Sequence, residues 1–293
     1  MSSTVVAPST GPLSVTDVIA LEEIAPLRFR GRSQSGPAKR TFGGEVAGQA
    51  VLAATRTVPA GRLVHSAHMS FLLPGNTSAP VDFAVEETRD GGSFSSRRVQ
   101  AIQHERVIFT MTASFQAREE GMTHAATAPV VPAPEDLPTP AELFATDPEN
   151  LQWVRWLLDT NDLDARFPEL PTRSAAARGL RVEARQSAWL RANQPISTDP
   201  GDQAAALAYM SDMLLLSAAL GPHGFTLQSG DLQFATIDHT IWFHAPLSID
   251  EWFLYDQESR WAGNSRALCH GEIFDRAGRL CATTMQEGLL RRR

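Results

Sequence analysis

Asp212 is the residue of this 293-residue chain whose surroundings most invite chemistry. It stands inside Gly201–Gly221, GDQAAALAYMSDMLLLSAALG, where nearly every other position is apolar or small. Asp202 as an N-cap and Gly221-Pro222 as a stop signal predict one helix of about five turns over this stretch. On that helix the neighbours at three and four residues are Ala208, Tyr209, Leu215 and Leu216, so the Asp212 carboxylate is expected among apolar side chains. Burying a charge without partners costs on the order of several kcal/mol, so donors must meet it. Such a carboxylate can act as a general base, and it can equally face a wet crevice or a second subunit. The helix alone leaves both readings open.

The second place with chemical potential is Thr41-Phe42-Gly43-Gly44, which leads into a predicted helix over Glu45–Thr57. Glycines at a helix entrance allow close backbone approach and leave N–H groups free to hold an oxygen, or they serve only a tight turn and dense packing. Glu45 lies in the first turn, where it can line a groove or interact favourably with the helix end.

The elements that hold these residues follow from pattern. A helix apolar all round is enclosed by protein or by lipid. The 201–221 run is short, carries Ser211, Asp212 and Ser217, and lacks flanking cationic or aromatic anchors, so a helix wrapped by a sheet is expected and no membrane span. Residues 17–27 predict a short amphipathic helix and 27–31 a short strand. Strands are predicted over 63–72, 81–89, 95–103 and 107–116, then an extended connector where Pro129, Pro132, Pro134, Pro138 and Pro140 crowd together, then short helices within 142–159. A strand over 180–191 precedes the Asp212 helix, and strands at 232–243, 252–260, 266–274 and 279–290 follow it. The order of the first half thus returns in the second, with Phe71-Leu-Leu-Pro74 echoed by Phe243-His-Ala-Pro246 and Arg89-Asp-Gly-Gly92 by Arg260-Trp-Ala-Gly263. The chain reads as a tandem duplication: a tail over 1–19, a first unit over 20–120, a connector over 121–179 and a second unit over 180–293.

Composition narrows the classes. With 43% hydrophobic and 20% charged residues the chain is globular, and its net charge of -7 disfavours nucleic acid as a partner. Cys269 and Cys281 sit in predicted strands with no zinc or redox spacing, so reduced packing thiols in a cytoplasmic protein are expected, with no metal. Residues 1–15 lack the basic start and apolar run of a signal peptide, and Arg291-Arg292-Arg293 matches no peroxisomal or lipidation ending.

A long helix wrapped by an antiparallel sheet, twice in one chain, describes an α+β double hotdog. The chain resembles the acyl-CoA thioesterase II family through Arg30-Gly31, Phe42-Gly-Gly-Glu-Val-Ala-Gly-Gln49, Arg62-Leu-Val-His-Ser66, Phe71-Leu-Leu-Pro-Gly75, Ser93-Phe-Ser-Ser-Arg-Arg-Val99, Met111-Thr-Ala-Ser-Phe-Gln116, Ala235-Thr-Ile-Asp-His239, Trp242-Phe-His244 and Gln286-Glu-Gly288. The resemblance implies hydrolysis of acyl-CoA to fatty acid and CoA by a water held by Asp212, Thr236 and Gln286, without a cofactor. It departs locally after Asp212, where Met213-Leu214-Leu215 is apolar throughout. A thioester carbonyl accepts a positioned water directly, and the chain has no G-x-S-x-G elbow to supply a covalent nucleophile. Gly43 and Gly44 are the oxyanion candidates, Glu45 and His65 candidates to touch substrate, and Arg89, Arg97, Arg98, Arg260 and Arg266 candidates to meet CoA phosphates. Asp238 and His239, adjacent on a strand, face opposite ways and form no dyad with each other. Edge-to-edge pairing of hotdog sheets makes a homo-oligomer the expected assembly. The alternatives are an acyl-CoA sensor without turnover, and an enoyl-CoA hydratase suggested by Ser229-Gly230-Asp231 but lacking the residues that should follow.

Overall fold

The computed structural model describes residues 13–33, 40–224 and 232–292. The Ser14 hydroxyl accepts from the Asp17 N–H and Asp17 accepts from the Ser14 N–H, a reciprocal cap that starts helix α1, Val15–Ile19. Its Val15, Val18 and Ile19 are buried, so the end of the expected tail is anchored in the core. The single helix expected over 17–27 is instead this helix followed by a hairpin, β1 (Leu21–Ala25) and β2 (Arg28–Gly31). Pro26, with no N–H and a fixed φ, cannot continue a helix and turns the hairpin.

Helix α2 (Gly43–Thr55) then leads into the meander β3 (Arg62–Phe71), β4 (Val81–Asp90), β5 (Phe94–Gln103) and β6 (Arg106–Ala117). Alternation sets which face of each strand is buried: in β5, Ser95, Arg97, Val99, Ala101 and Gln103 point inward. The connector runs extended to a 3₁₀ turn at Pro134–Asp136, and Trp189 donates its indole N–H to Pro132 O. It covers a small apolar cluster of Trp189, Trp252, Leu254 and Phe274.

Helices α3 (Pro140–Leu143) and α4 (Pro148–Asn161) come next. The stretch assigned to the connector also contains strand β7 (Leu163–Arg166) and helix α5 (Thr172–Ala177). Four residues are too short for a periodic signal. Strand β7 exists because it pairs with β8 (Arg185–Ala192), which starts later than the expected residue 180. Helix α6 (Pro200–Ser211) precedes β9 (Leu232–Phe243), β10 (Phe253–Gly263), β11 (Arg266–Phe274) and β12 (Leu280–Arg292).

The twelve strands form one antiparallel sheet in the order β1-β2-β4-β5-β6-β3-β9-β12-β11-β10-β8-β7. The order mirrors itself about the β3–β9 pair, in which Met69 lies opposite His239. The first half wraps α2 and the second wraps the helical run that continues α6, which is the double hotdog. Helices α2 and α6 pack against each other through small residues: a methyl group on Gly48 would lie 2.8 Å from Ala205 O, and one on Gly44 only 2.3 Å from Tyr209 O. These two glycines, one turn apart, let the backbones touch.

The helix expected over 201–221 divides. Asp199, not Asp202, caps α6, accepting from the N–H groups of Gly201 and Asp202. Helix α6 ends at Ser211, Leu214 adopts a left-handed conformation (φ 66°), and a 3₁₀ run, Leu215–His223, follows, continuing past the expected Gly221 stop. The cause is competition for carbonyls. Tyr255 donates to Ser211 O at 2.7 Å, Gln257 to Met213 O at 3.1 Å and Gln186 to Leu214 O at 2.9 Å, taking acceptors that the next helical turn would use. By length and composition the stretch Pro200–His223 could cross a membrane, but 89% of its most apolar window is buried inside the protein.

Candidate active site

Asp212 caps the C-terminal end of α6, and this alters its expected setting. It is half-buried at a helix break, not enclosed in mid-helix. Its Oδ1 accepts hydrogen bonds from the Thr236 hydroxyl at 3.3 Å and from the Gln286 amide. Gln286 donates also to Thr236 Oγ1 at 3.0 Å, which closes the triangle. The three side chains come from α6, β9 and β12.

Strict alternation would place Thr236 on the face of β9 opposite His239. A bulge prevents this: Gln286 pairs with His239 and Glu287 with Asp238, but Gly288 pairs with Thr236. The extra residue, Ile237, shifts the phase so that Thr236 turns inward beside Gln286. A Cβ at Gly288 would lie 2.2 Å from Leu216 Cδ2, so glycine there admits the 3₁₀ run that follows Asp212.

The other carboxylate oxygen faces α2. A methyl group on Gly43 would lie 2.7 Å from Asp212 Oδ2 and 3.2 Å from Phe71 Cε1. Phe42 takes the N-cap position of α2 and itself gives no side-chain hydrogen bond to the N–H groups of the first turn beside the carboxylate. Gly44 serves the contact with α6, and Glu45 is buried in the same turn, 1% exposed.

His65 is not brought here. Its Nε2 lies 2.8 Å from Ser114 Oγ and its ring meets Phe94 edge-on, while Phe71, beside Gly43, is six residues further along β3, about 20 Å at the usual strand rise. Burial, with His68 nearby, lowers the His65 pKa. Of the arginine candidates, Arg97 is fully buried and held by Asp90 at 3.0 Å and by Thr57, so it belongs to the fold. Arg260 pairs with Glu258 and Arg266 with Glu287, while Arg89 and Arg98 are exposed. Ser229-Gly230-Asp231 lies outside the described residues. Among the described residues no group of three His, Cys, Asp or Glu side chains could hold a metal.

Sequence reasoning named Ser211 and His239 but missed the buried network that they form with four other groups behind Asp212. Ser211, Gln186, Tyr255, Gln257, Thr284 and His239 are all buried and polar. Gln186 donates to Gln257 at 2.7 Å, and Tyr255 lies 2.9 Å from Thr284 Oγ1. Burial raises the Tyr255 pKa, so its phenol stays a donor. A legible signal existed: Tyr255 and Gln257, two apart on one strand, are polar on the same inward face.

Comparisons with known proteins bear on the family. Residues 159–289 match the family described as acyl-CoA thioesterase, and residues 32–116 match the acyl-CoA thioesterase N-terminal domain. The acyl-CoA thioesterase 2 of Haemophilus influenzae is 40% identical over 94% of this chain and 96% of its own length. The crystal structure of acyl-CoA thioesterase II TesB2 from Mycobacterium marinum superposes with a TM-score of 0.77 at 39% identity, covering 96% of this chain and 99% of that one. A hotdog-fold protein of unknown function from Alicyclobacillus acidocaldarius, 22% identical with a TM-score of 0.76 over 95% of this chain and 98% of its own, shares the fold. With identity of this level sustained along nearly the whole length of both chains, the protein belongs to the acyl-CoA thioesterase family.

Proposed function

We propose that this protein hydrolyses acyl-CoA thioesters to a free fatty acid and CoA, with Asp212 as general base and Thr236 and Gln286 as the groups that orient the attacking water. The observation that carries the reading is the convergence of Thr236 and Gln286 on Asp212 Oδ1, with Oδ2 left facing the N-terminus of α2. The names of the relatives, as thioesterases of acyl-CoA, support the substrate class.

Water attacks the thioester carbonyl carbon and passes a proton to Asp212. The tetrahedral oxyanion gathers at the first turn of α2, where the N–H groups of Gly43 and Gly44 and the positive helix end favour negative charge. Collapse breaks the C–S bond and releases the CoA thiolate, which takes up the proton from Asp212 and leaves as the thiol. Gln286 Oε1, buried and accepting from no described group, remains as an acceptor for the second water hydrogen. Glu45 lies buried in this turn, and His65, at the far end of β3, is too distant to join the proton transfers.

We place the protein in the cytoplasm, as its two free, buried cysteines suggest, and infer that it assembles as a homo-oligomer through its sheet edges β1 and β7. The matched bulges of β3 and β9 support a duplicated unit, and β7, the counterpart of β1, carries the second copy back from residue 180 to about residue 163. The test is release of free CoA thiol from short, medium and long acyl-CoAs by wild type beside Asp212→Asn. Release that falls at least about a hundredfold in a folded variant fits loss of a general base. Binding of acyl-CoA without release by wild type would instead make the protein a sensor.

A further inference from the structure

His239 is wholly buried on β9, opposite Gln286 on one side and Met69 on the other. Its Nε2 lies 2.8 Å from Ser211 Oγ, and Ser211 Oγ donates to Ala208 O at 2.9 Å. A hydroxyl has one hydrogen to give. With that hydrogen on Ala208 O, the imidazole must donate through Nε2–H, which leaves Nδ1 as an acceptor with no partner among the described residues. Burial lowers the His239 pKa, which keeps the ring neutral.

The histidine is not needed to build the sheet. At the corresponding register of the first half, Ala67 pairs with Ala113 where His239 pairs with Gln286. An apolar side chain therefore closes that position, and it would carry no orphaned nitrogen, which costs about 1–3 kcal/mol when buried. Nor does Ser211 need it, having Ala208 O as an acceptor. The bond fixes something else. Ser211 is the residue before Asp212, and its carbonyl is already held by Tyr255 from β10. Beyond Asp212, Gln257 holds Met213 O and Gln186 holds Leu214 O. The His239 bond completes a set of ties that pin the backbone on both sides of the carboxylate to three strands.

We infer that His239, through Ser211, is a positioning residue that sets where the Asp212 carboxylate stands relative to the water and the N-terminus of α2. The inference rests on Asp212 being the base. Misplacing a reacting group by about 1 Å can lower a rate by about a hundredfold, so loss of one tie among several is expected to lower kcat about tenfold.

The test compares His239→Leu, His239→Gln, Ser211→Ala and the Ser211→Ala/His239→Leu double variant in acyl-CoA hydrolysis, with Asp212→Asn alongside. His239→Leu fills the space without a donor, and His239→Gln restores an N–H at similar reach. Expected are a kcat about tenfold lower for His239→Leu and for Ser211→Ala with KM within about twofold, no further loss in the double variant, and recovery of most activity in His239→Gln. Full kcat in both single variants, losses that multiply, or a loss confined to KM would overturn the inference. Should His239→Leu fail to fold, Ser211→Ala and His239→Gln still decide the matter by the same kcat comparison. The Asp212 reading fails separately, by turnover in Asp212→Asn.

Discussion

The two ends of the α2–α6 pair are built on one plan and differ in a few side chains. At one end the N-terminus of α2 meets the C-terminal end of α6, and Gly43 faces Asp212. At the other the N-terminus of α6 meets the end of α2, and a methyl group on Gly201 would lie 2.5 Å from Thr55 Cγ2. The residue capping α6 is Asp212, and the residue capping α2 is Arg56, which turns away to Leu21 O. Both neighbouring strand pairs carry a bulge in the same place. In the second half it sets Thr236 opposite Gly288 and His239 opposite Gln286, and in the first it sets Val64 opposite Phe115 and Ala67 opposite Ala113. Even the helix starts differ, since Asp199 occupies the first N–H groups of α6 whereas α2 has no side-chain cap. The hotdog frame thus supplies two equivalent corners, and polar side chains at four positions furnish only one of them for chemistry.

Making the furnished corner resemble the bare one should abolish function in graded steps. Asp212→Asn is expected to lower kcat at least about a hundredfold with circular dichroism and Tm unchanged, the size of losing a general base. Replacing Thr236 and Gln286 by their first-half counterparts, as Thr236→Val with Gln286→Ala, should lower kcat some tens of fold, because the base remains but its orientation is lost. Gly43→Ala should lower kcat about tenfold, since the added methyl intrudes between Asp212 and the first turn of α2. Gly201→Ala, the same change at the other corner, should leave kcat within about twofold and lower Tm by a few degrees through overlap with Thr55, a contrast that thermal melts and thiol release read together. A near-equal effect of the two glycine changes on kcat would break the comparison.

The smallest effect concerns the thiols of the protein itself. Both cysteines lie in the second half and are buried, and burial pushes the Cys269 thiol up to about 11 and raises that of Cys281. At neutral pH both stay protonated and enclosed, so a thiol reagent should label the native protein far more slowly than protein in guanidinium. Thiol appearing during hydrolysis by the native protein then comes from CoA.

Much of this architecture is legible in the residues alone. The four long strands that follow the helical segment in each half, and helix α2, fall within a few residues of where period and turn residues place them, because alternation and breakers are local. The bend at Pro26-Leu27, strand β7 and helix α5 are not legible in this way, because a four-residue strand exists only through its partner. His65 stands in one of the strings that carry the resemblance, yet a motif does not say at which end of a strand a residue lies.

The sequence by itself determined the order of elements, the doubling of the unit, and the presence of an aspartate in an otherwise largely apolar stretch, since these depend on residue type and spacing along one chain. Tertiary structure decided what that aspartate could do. It broke the helix at Ser211 by lending its carbonyls to Tyr255, Gln257 and Gln186, and it turned Thr236 inward through a bulge that no alternation rule reveals. Both outcomes turn on which distant donor reaches an acceptor first, and that is fixed only when the strands have paired and the helix lies against them.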